Sequence, residues 1–238
     1  MACILDSYRR NPCLSGAGEC AHSIAINGRL DAAGLPKEYR EITLATSPVS
    51  ASQPRIYGRL NEYVTTFRRI YDEEDTRRIK SIYLYSKSPG TGKTTTAAAL
   101  VNQFIITSYL GALKAGKQPP LTPAFFLDLN ELQSMFNLAT QIKDEEALKT
   151  FRKTIKKAST APFVAIDDIG VRNATEAFRA HVHTIINARC ANGLPTVYTS
   201  NVTIDDLATI FDARLADRVR DQCAVFAFEG ESKRGIRK

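Results

Sequence analysis

A glycine-rich loop between a predicted strand and a predicted helix limits the fold of this chain more than any other feature. The strand is a β-branched and aromatic run over residues 81–86, and apolar residues recur at helical spacing from residue 97. The loop between them reads Ser-Pro-Gly-Thr-Gly-Lys-Thr over residues 88–94. A strand, a tight glycine loop and a helix in this order are typical of a loop that binds phosphate.

The residue types in this loop suit a nucleoside triphosphate with its metal ion. Gly90 and Gly92 allow the backbone to turn its N–H groups towards phosphate oxygens. Lys93 supplies a charge for the β and γ phosphates, and the Thr94 hydroxyl can ligate Mg²⁺, so ATP and Mg²⁺ are the expected cofactors. Lys87 departs from the pattern, which has glycine at this position. The candidate nucleotide-binding residues are Ser88, Pro89, Gly90, Thr91, Gly92, Lys93, Thr94 and Thr95.

A second motif follows at residues 162–170, which read Pro-Phe-Val-Ala-Ile-Asp-Asp-Ile-Gly. A continuous apolar run that ends in acids is typical of a buried parallel strand with chemistry at its carboxyl end. Asp167 is the candidate to hold Mg²⁺ opposite Thr94, and Asp168 is the candidate to activate the attacking water. ATPases usually carry glutamate at the second position, so the shorter Asp168 predicts slow hydrolysis or an adjusted geometry.

Polar and basic residues late in the chain complete the candidate site. Residues 195–201 read as a strand that ends in Thr-Ser-Asn, which brings Asn201 next to the γ phosphate. Arg214 and Arg218 follow, one helical turn apart. Strands and helices alternate along the chain, which predicts an α/β fold with a mostly parallel five-stranded sheet between helices.

The net charge of the chain bears on the kind of partner that it is expected to bind. The net charge is +7 with a pI near 9.2, which suits a polyanionic partner without proving one. A basic helix over residues 144–158 and loops near Arg172 are alternative DNA contacts, and the helix is equally consistent with an ordinary exposed surface. No signal peptide or bilayer-length apolar run is evident, so we expect a cytoplasmic protein without a membrane partner.

The first 30 residues lack apolar periodicity and contain three of the five cysteines. Cys3, Cys13, Cys20 and His22 offer three sulfurs and one imidazole, a set that Zn²⁺ accepts. Their spacing is loose, and reduced thiols in a mobile arm are the alternative. We therefore expect an N-terminal arm over residues 1–30 and one domain over residues 31–238.

From about residue 35 onwards, the order of motifs resembles the AAA+ ATPases of the DnaC and DnaI helicase-loader group and the related IstB transposition ATPases. The glycine loop alone indicates only a nucleoside triphosphatase, whereas the Thr-Ser-Asn strand followed by arginine motifs is much more specific. The matching segments are residues 88–94, 165–170, 195–201, 214–218 and 230–234.

The resemblance implies roles for individual residues. Asn201 resembles sensor 1, Arg218 resembles an arginine finger that reaches the nucleotide of a neighbouring subunit, and Arg234 resembles sensor 2. An arginine supplied by a neighbour requires assembly into a ring or a spiral. The chain ends soon after Arg234, so no C-terminal helical lid is expected. The arm over residues 1–30 resembles, weakly, a module that grips the helicase.

The implied function is an ATPase that acts in DNA replication in a bacterial cell or a phage-infected host. It binds ATP and Mg²⁺ between subunits, contacts single-stranded DNA and delivers a hexameric replicative helicase. Three alternatives remain open at this point. They are an IstB-like transposition helper, a P-loop kinase for a small molecule, and a nucleotide-gated adapter with little hydrolysis.

Overall fold

Five parallel strands form the centre of the fold in the computed structural model, which describes residues 4–5, 21–72, 74–141, 143–170 and 174–232. The spatial order of the strands is β2-β3-β4-β1-β5. The predicted α/β class and the parallel five-stranded sheet are confirmed. The strands are β1 Ser81–Tyr85, β2 Ala124–Asp128, β3 Phe163–Asp167, β4 Thr196–Ser200 and β5 Cys223–Ala227.

Helices cover both faces of this sheet. Side chains alternate between the faces along each strand, so Ile82 and Leu84 pack with α1, α2 and α3, whereas Tyr83 packs on the opposite face with α4, α5, α6 and α8. Short 3-10 turns occupy 37–39, 50–52 and 66–71. The helices are α1 Ala21–Ala32, α2 Pro54–Thr65, α3 Lys93–Lys114, α4 Leu129–Gln141, α5 Glu145–Thr160, α6 Glu176–Ala191, α7 Leu207–Ile210 and α8 Ala213–Gln222.

The strand order creates a crevice at the carboxyl end of β1. After β1 the chain crosses to the far edge of the sheet at β2, returns through β3 to β4, and then places β5 on the other side of β1. Ligands of open parallel sheets bind where the strand order reverses in this way. The glycine loop follows β1 directly, so the topology brings it next to the end of β4.

Helix α1 crosses the boundary that the sequence suggested between residues 30 and 31. Ile26 and Leu30 are buried in the core beside α3, and Arg29 donates hydrogen bonds to the carbonyl oxygens of Pro119 and Pro120. Residues 21–30 therefore pack on the core of the fold. Cys3, Cys13 and Cys20 lie outside the described residues.

Helix α3 is the core helix of the fold. Within the described part of the chain it is the one helix long and apolar enough to cross a membrane, with a mean hydropathy of 1.3. Of the apolar stretch in α3 that meets this criterion, 78% is buried inside the protein, where the helix packs against the sheet and α1. The hydropathy is thus explained by packing on the sheet.

A buried arginine, which the sequence analysis missed, holds the helical layer to β4. Arg189 is fully buried and donates to the Thr196 hydroxyl and to the carbonyl oxygens of Ala158, Ala161 and Pro195. Burial lowers its pKa to about 10. One guanidinium thus satisfies acceptors at the end of α5 and the start of β4, which sets where β4 enters the sheet.

Candidate functional site

The glycine loop adopts the conformation that its sequence predicts. Gly90 has φ +71° and Gly92 has φ +99°, values that side-chain-bearing residues rarely adopt. A Cβ atom on Gly92 would lie 2.5 Å from both Cγ atoms of Val49. Val49, which sequence reasoning did not single out, therefore packs directly against the loop, and no larger residue fits at position 92.

Lys93 and Asn201 meet at the carboxyl end of the sheet. Lys93 is 6% exposed, and its Nζ donates to Asn201 Oδ1 at 2.7 Å and to the Ser88 carbonyl oxygen at 3.3 Å. These two residues are 108 positions apart in the chain. The acceptors around Nζ are oxygen atoms, which is the kind of partner that a phosphate would offer.

Asp167 lies between two threonine hydroxyls. Thr94 donates to its Oδ2 at 3.1 Å, and Thr199 donates to its Oδ1 at 2.6 Å. Burial, with a smaller contribution from the nearby Asp168 charge, raises the pKa of Asp167 to about 6 against the opposing effect of the two hydroxyls. A buried, destabilised carboxylate beside a hydroxyl is a suitable site for a divalent cation.

Asp168 adopts a left-handed backbone conformation with φ +58°. Its N–H donates to Thr199 Oγ1 at 2.9 Å, so a single hydroxyl contacts both residues of the acidic pair. Aspartate tolerates this region of backbone space better than most residues, and backbone strain of this kind clusters at functional sites. Thr199 was missed as an individual residue, although a hydroxyl inside a buried strand next to β3 was the available signal.

The loop residues also include one polar atom that lacks a partner. The Thr91 hydroxyl is buried and has no hydrogen bond within the described part of the chain. Buried polar atoms are normally paired. Together with the Lys93 ammonium, the loop glycines and the Thr94–Asp167 pair, this atom forms a donor and acceptor set that fits a triphosphate and Mg²⁺. Among the other candidates, Thr95 is buried and Ser88 is half-buried.

Arg218 contacts a separate set of residues from those at the crevice. It is exposed on α8, and its Nη1 donates to Asn187 Oδ1 at 2.6 Å. Asn187 Nδ2 contacts His183 Nδ1 at 2.7 Å, and His183 Nε2 lies 2.9 Å from Asp212 Oδ2. Asp212 also caps α8 by accepting from the Leu215 N–H. A chain of polar contacts therefore fixes Arg218, but it does not lead to Lys93 or Asp167.

Two groups of predicted residues cannot be placed. Arg234, the candidate sensor 2, lies outside the described residues. The same holds for the three cysteines of the zinc prediction, while His22 contacts the Tyr109 hydroxyl at 2.7 Å through Nδ1. No cluster of three or more metal-binding side chains occurs within residues 21–72, 74–141, 143–170 and 174–232.

Comparison with known proteins identifies relatives by sequence. No family model matches the chain. The replicative helicase loader DnaI of Bacillus subtilis is 28% identical over 187 residues, covering 73% of this chain and 53% of that protein. The replicative helicase loader DnaC of Escherichia coli K12 is 24% identical over 159 residues, covering 64% and 55%. Replicative helicase loaders are thus homologues of this chain. The chain spans about half the length of these curated relatives.

Solved structures agree on the fold. The crystal structure of DnaI superposes with a TM-score of 0.58 at 19% identity, covering 84% of this chain and 94% of that one. The DnaC helicase loader gives 0.55 at 21% identity, covering 82% and 100%. The initiator DnaA, bound to AMPPCP and single-stranded DNA, gives 0.55 at 18%, covering 83% and 51%. The AAA+ P-loop fold and the resemblance to the helicase-loader group are confirmed.

Proposed function

We propose that this chain is an AAA+ ATPase that loads a hexameric replicative helicase during DNA replication. The observation that carries the proposal is the convergence of the glycine loop, the Asp167 strand end and Asn201 at one crevice of the sheet. Homology to the DnaI and DnaC helicase loaders supports a replicative helicase as the partner of this ATPase. The same homology favours the bacterial cytoplasm as its location.

In this proposal ATP is held by the loop N–H groups and by Lys93. Thr94 and Asp167 would hold Mg²⁺, which would supply positive charge to offset the charge of the phosphates. Asp168 orients the attacking water, and Asn201 contacts the γ phosphate. Because Asp167 must be ionised to serve as a ligand, its raised pKa means that protons compete with Mg²⁺ for this carboxylate below about pH 6.

Arg218 acts in this proposal on the nucleotide of a neighbouring copy. Its side chain is exposed and held by Asn187, and among the described residues it has no hydrogen bond to the crevice of its own chain. An arginine finger supplied in this way needs head-to-tail assembly into a ring or spiral. Arg234 is proposed to contact nucleotide as sensor 2.

The partner contacts are proposals of the same kind. Single-stranded DNA is expected on a basic surface, and the arm over residues 1–30 is expected to bind the helicase. Zn²⁺ at Cys3, Cys13, Cys20 and His22 remains a prediction, which metal analysis of the purified protein tests. One zinc ion per chain would support it.

The deciding experiment is a loading assay with a purified hexameric replicative helicase on circular single-stranded DNA. The wild type should form a stable complex with the helicase and transfer it in an ATP-dependent manner. Lys93→Ala should lose transfer, whereas Lys87→Ala, which removes an exposed lysine from the same loop, should retain it. Failure of the wild type to bind the helicase, or binding to a transposase instead, would contradict the proposal.

A nucleotide-gated adapter with little hydrolysis is the second candidate. The observation that favours it is Asp168, whose carboxylate is one methylene shorter than glutamate and whose backbone is left-handed. Measuring single-turnover ATP hydrolysis by the wild type and by Asp168→Ala distinguishes the ATPase from the adapter. Equal rates would remove Asp168 from the chemistry and support the adapter.

A further inference from the structure

A second cavity lies at the opposite end of β1 from the glycine loop. It has a volume of about 540 Å³ and lies between α2, the segment that enters β1, and the edge strand β5. Ala224 and Phe226 of β5 contribute apolar lining. Among the described lining residues, the basic side chains are Arg59, Arg69, Arg77, Arg78 and Lys80, and the one acid is Glu62.

The basic residues of this cavity are only partly neutralised. Asp75 pairs with Arg77 at 2.7 Å and with Arg69 at 3.1 Å. Asp72, in the same turn, directs its carboxylate to backbone N–H groups. Within the described ranges, no ion pair to a carboxylate is formed by the other three basic residues, Arg59, Arg78 and Lys80. Like charges gathered without partners in a concave site favour an anionic ligand.

The cavity lining also includes a side chain on which a planar group, such as a nucleic-acid base, can stack. The guanidinium carbon of Arg59 lies 4.6 Å from the centre of the Phe226 ring, so the cation is placed over the face of this ring. Nucleic-acid bases stack on such guanidinium planes, and arginine and lysine side chains bind the phosphates between them. An acidic peptide offers carboxylates but no flat ring system, so it uses less of this cavity.

The basic helix α5 is a weaker candidate for the same role. Its first residues include Asp144, which caps it, and Glu145 and Glu146. Lys149 lies 3.7 Å from Glu146, and Lys157 is engaged with the Ala32 carbonyl oxygen and the Phe125 ring. Acidic residues and packing contacts thus offset part of the positive charge of α5, which makes this helix a weaker site for an anion than the cavity beside β5.

We propose that the cavity beside β5 binds the phosphate backbone of single-stranded DNA, with Arg78 and Lys80 contacting consecutive phosphates and Arg59 stacking on a base. This inference rests on the proposed function, because it assigns the surface for the DNA that a helicase loader must meet. It places DNA at the end of β1 remote from the nucleotide crevice, so both ligands can bind at once.

The test is fluorescence anisotropy of a labelled oligo-dT strand as a function of salt. Each phosphate contact on a single strand contributes about 0.7 to the slope of log affinity against log salt. Arg78→Ala/Lys80→Ala should lower that slope by about 1.4 and weaken binding roughly twentyfold at 0.1 M salt. The control Lys153→Ala/Lys156→Ala removes the same charge from α5 and should change the affinity by less than about twofold.

Two checks separate loss of contact from loss of fold. Arg78 lies against the turn at Gly193, so the melting temperature and nucleotide affinity of each variant are measured alongside. The charge-preserving variant Arg78→Lys/Lys80→Arg should retain the salt slope. A slope lost in this variant too would indicate a structural effect and overturn the proposal.

The outcomes also distinguish this inference from the proposed function. If the α5 variant loses DNA and the cavity variant keeps it, this surface is wrong while the DNA contact of a loader stands. If the wild type binds helicase and ATP but no oligonucleotide, the DNA contact itself fails. If a polyglutamate peptide binds in a manner that depends on Arg78 and Lys80 and DNA does not, the ligand is an acidic protein segment and the proposal is overturned.

Discussion

The crevice that contains Lys93 and Asp167 and the surface around Arg218 differ in how exposed their charged groups are. In the crevice, Lys93 and Asp167 are nearly inaccessible, and they contact groups from β3, β4 and the loop of the same chain. On α8, Arg218 is exposed, and it is held from behind by Asn187, His183 and Asp212. The first region has its polar contacts within one chain. In the second region, the exposed guanidinium of Arg218 is held in position by its neighbours and is accessible to another molecule.

Assembly should therefore affect the two regions differently. Binding of nucleotide should depend on the crevice alone, whereas turnover should depend on both regions. Single substitutions in each region, with binding and turnover measured separately, test this difference.

The largest effect is expected for Arg218→Ala. Nucleotide binding should be unchanged, and turnover of the assembled protein should fall about a thousandfold, which is the usual scale for an arginine finger. Mixing the variant into the wild type should reduce the activity of the wild-type neighbours. Arg220→Ala on the same helix, where Arg220 pairs with Asp205, is the matched control and should retain turnover. Unaffected neighbours in the mixing experiment would refute the role in trans.

Lys93→Ala should weaken ATP binding by about a hundredfold. Removal of one partner from a buried charged contact costs on the order of 3 kcal/mol, which corresponds to that factor. Titration with a fluorescent ATP analogue measures it, with Lys87→Ala as the control. An unchanged affinity in Lys93→Ala would show that the crevice is not the nucleotide site.

Asp167→Asn should change stability in a pH-dependent way. The charged form of a carboxyl whose pKa rises from its usual value to about 6 in the fold destabilises the folded state, so the stability of the wild type falls as the pH rises from about 4 to above 6. At pH 7.5 the variant should be more stable than the ligand-free wild type by up to about 3 kcal/mol, and the gap should narrow below pH 6.

Chemical denaturation of both proteins across this pH range measures the effect. Asp168→Asn, which removes only the neighbouring charge, should give a smaller gain. In the same variants, binding of Mg²⁺-ATP should weaken for Asp167→Asn and, in the wild type, should weaken as the pH falls through 6. A stability difference that does not vary with pH would contradict the assignment.

The smallest effect is expected for Asn187→Ala, which removes the hydrogen bond that orients Arg218. Turnover should fall about tenfold, because the charge remains but its geometry is less well defined. Nucleotide binding and assembly should be unchanged. Asn187→Asp, which keeps an acceptor oxygen for Arg218, should restore most of the turnover. Thr184→Ala, on an exposed position of the same helix, is the control.

Much of the fold and the crevice could be predicted from the sequence because their signals are local. The glycine loop, the run before Asp167 and the Thr-Ser-Asn end of β4 each have a strict spacing, and parallel strands bring their carboxyl ends together. Lys93, Thr94, Asp167 and Asn201 therefore meet as expected. The roles assigned to them, to Asp168 and to Arg218 stay predictions.

The residues that escaped prediction act through contacts between distant segments. Val49 packs on the loop from an irregular segment, Thr199 holds both acids from a neighbouring strand, and Arg189 donates to three carbonyl oxygens at the end of α5 and the start of β4. Periodicity does not reveal such contacts, because a buried arginine or a single valine has no characteristic spacing. The extent of α1 was missed for the same reason, since its packing against α3 is a tertiary effect.

The contact between Val49 and Gly92 links the glycine loop to the segment before it. That segment continues through Gln53, whose side chain donates to the Glu229 carbonyl oxygen just beyond β5, and Tyr57, whose hydroxyl contacts Thr96. A shift of the backbone at Gly92 towards Val49 would therefore be transmitted along this segment to the backbone at Glu229, which follows β5.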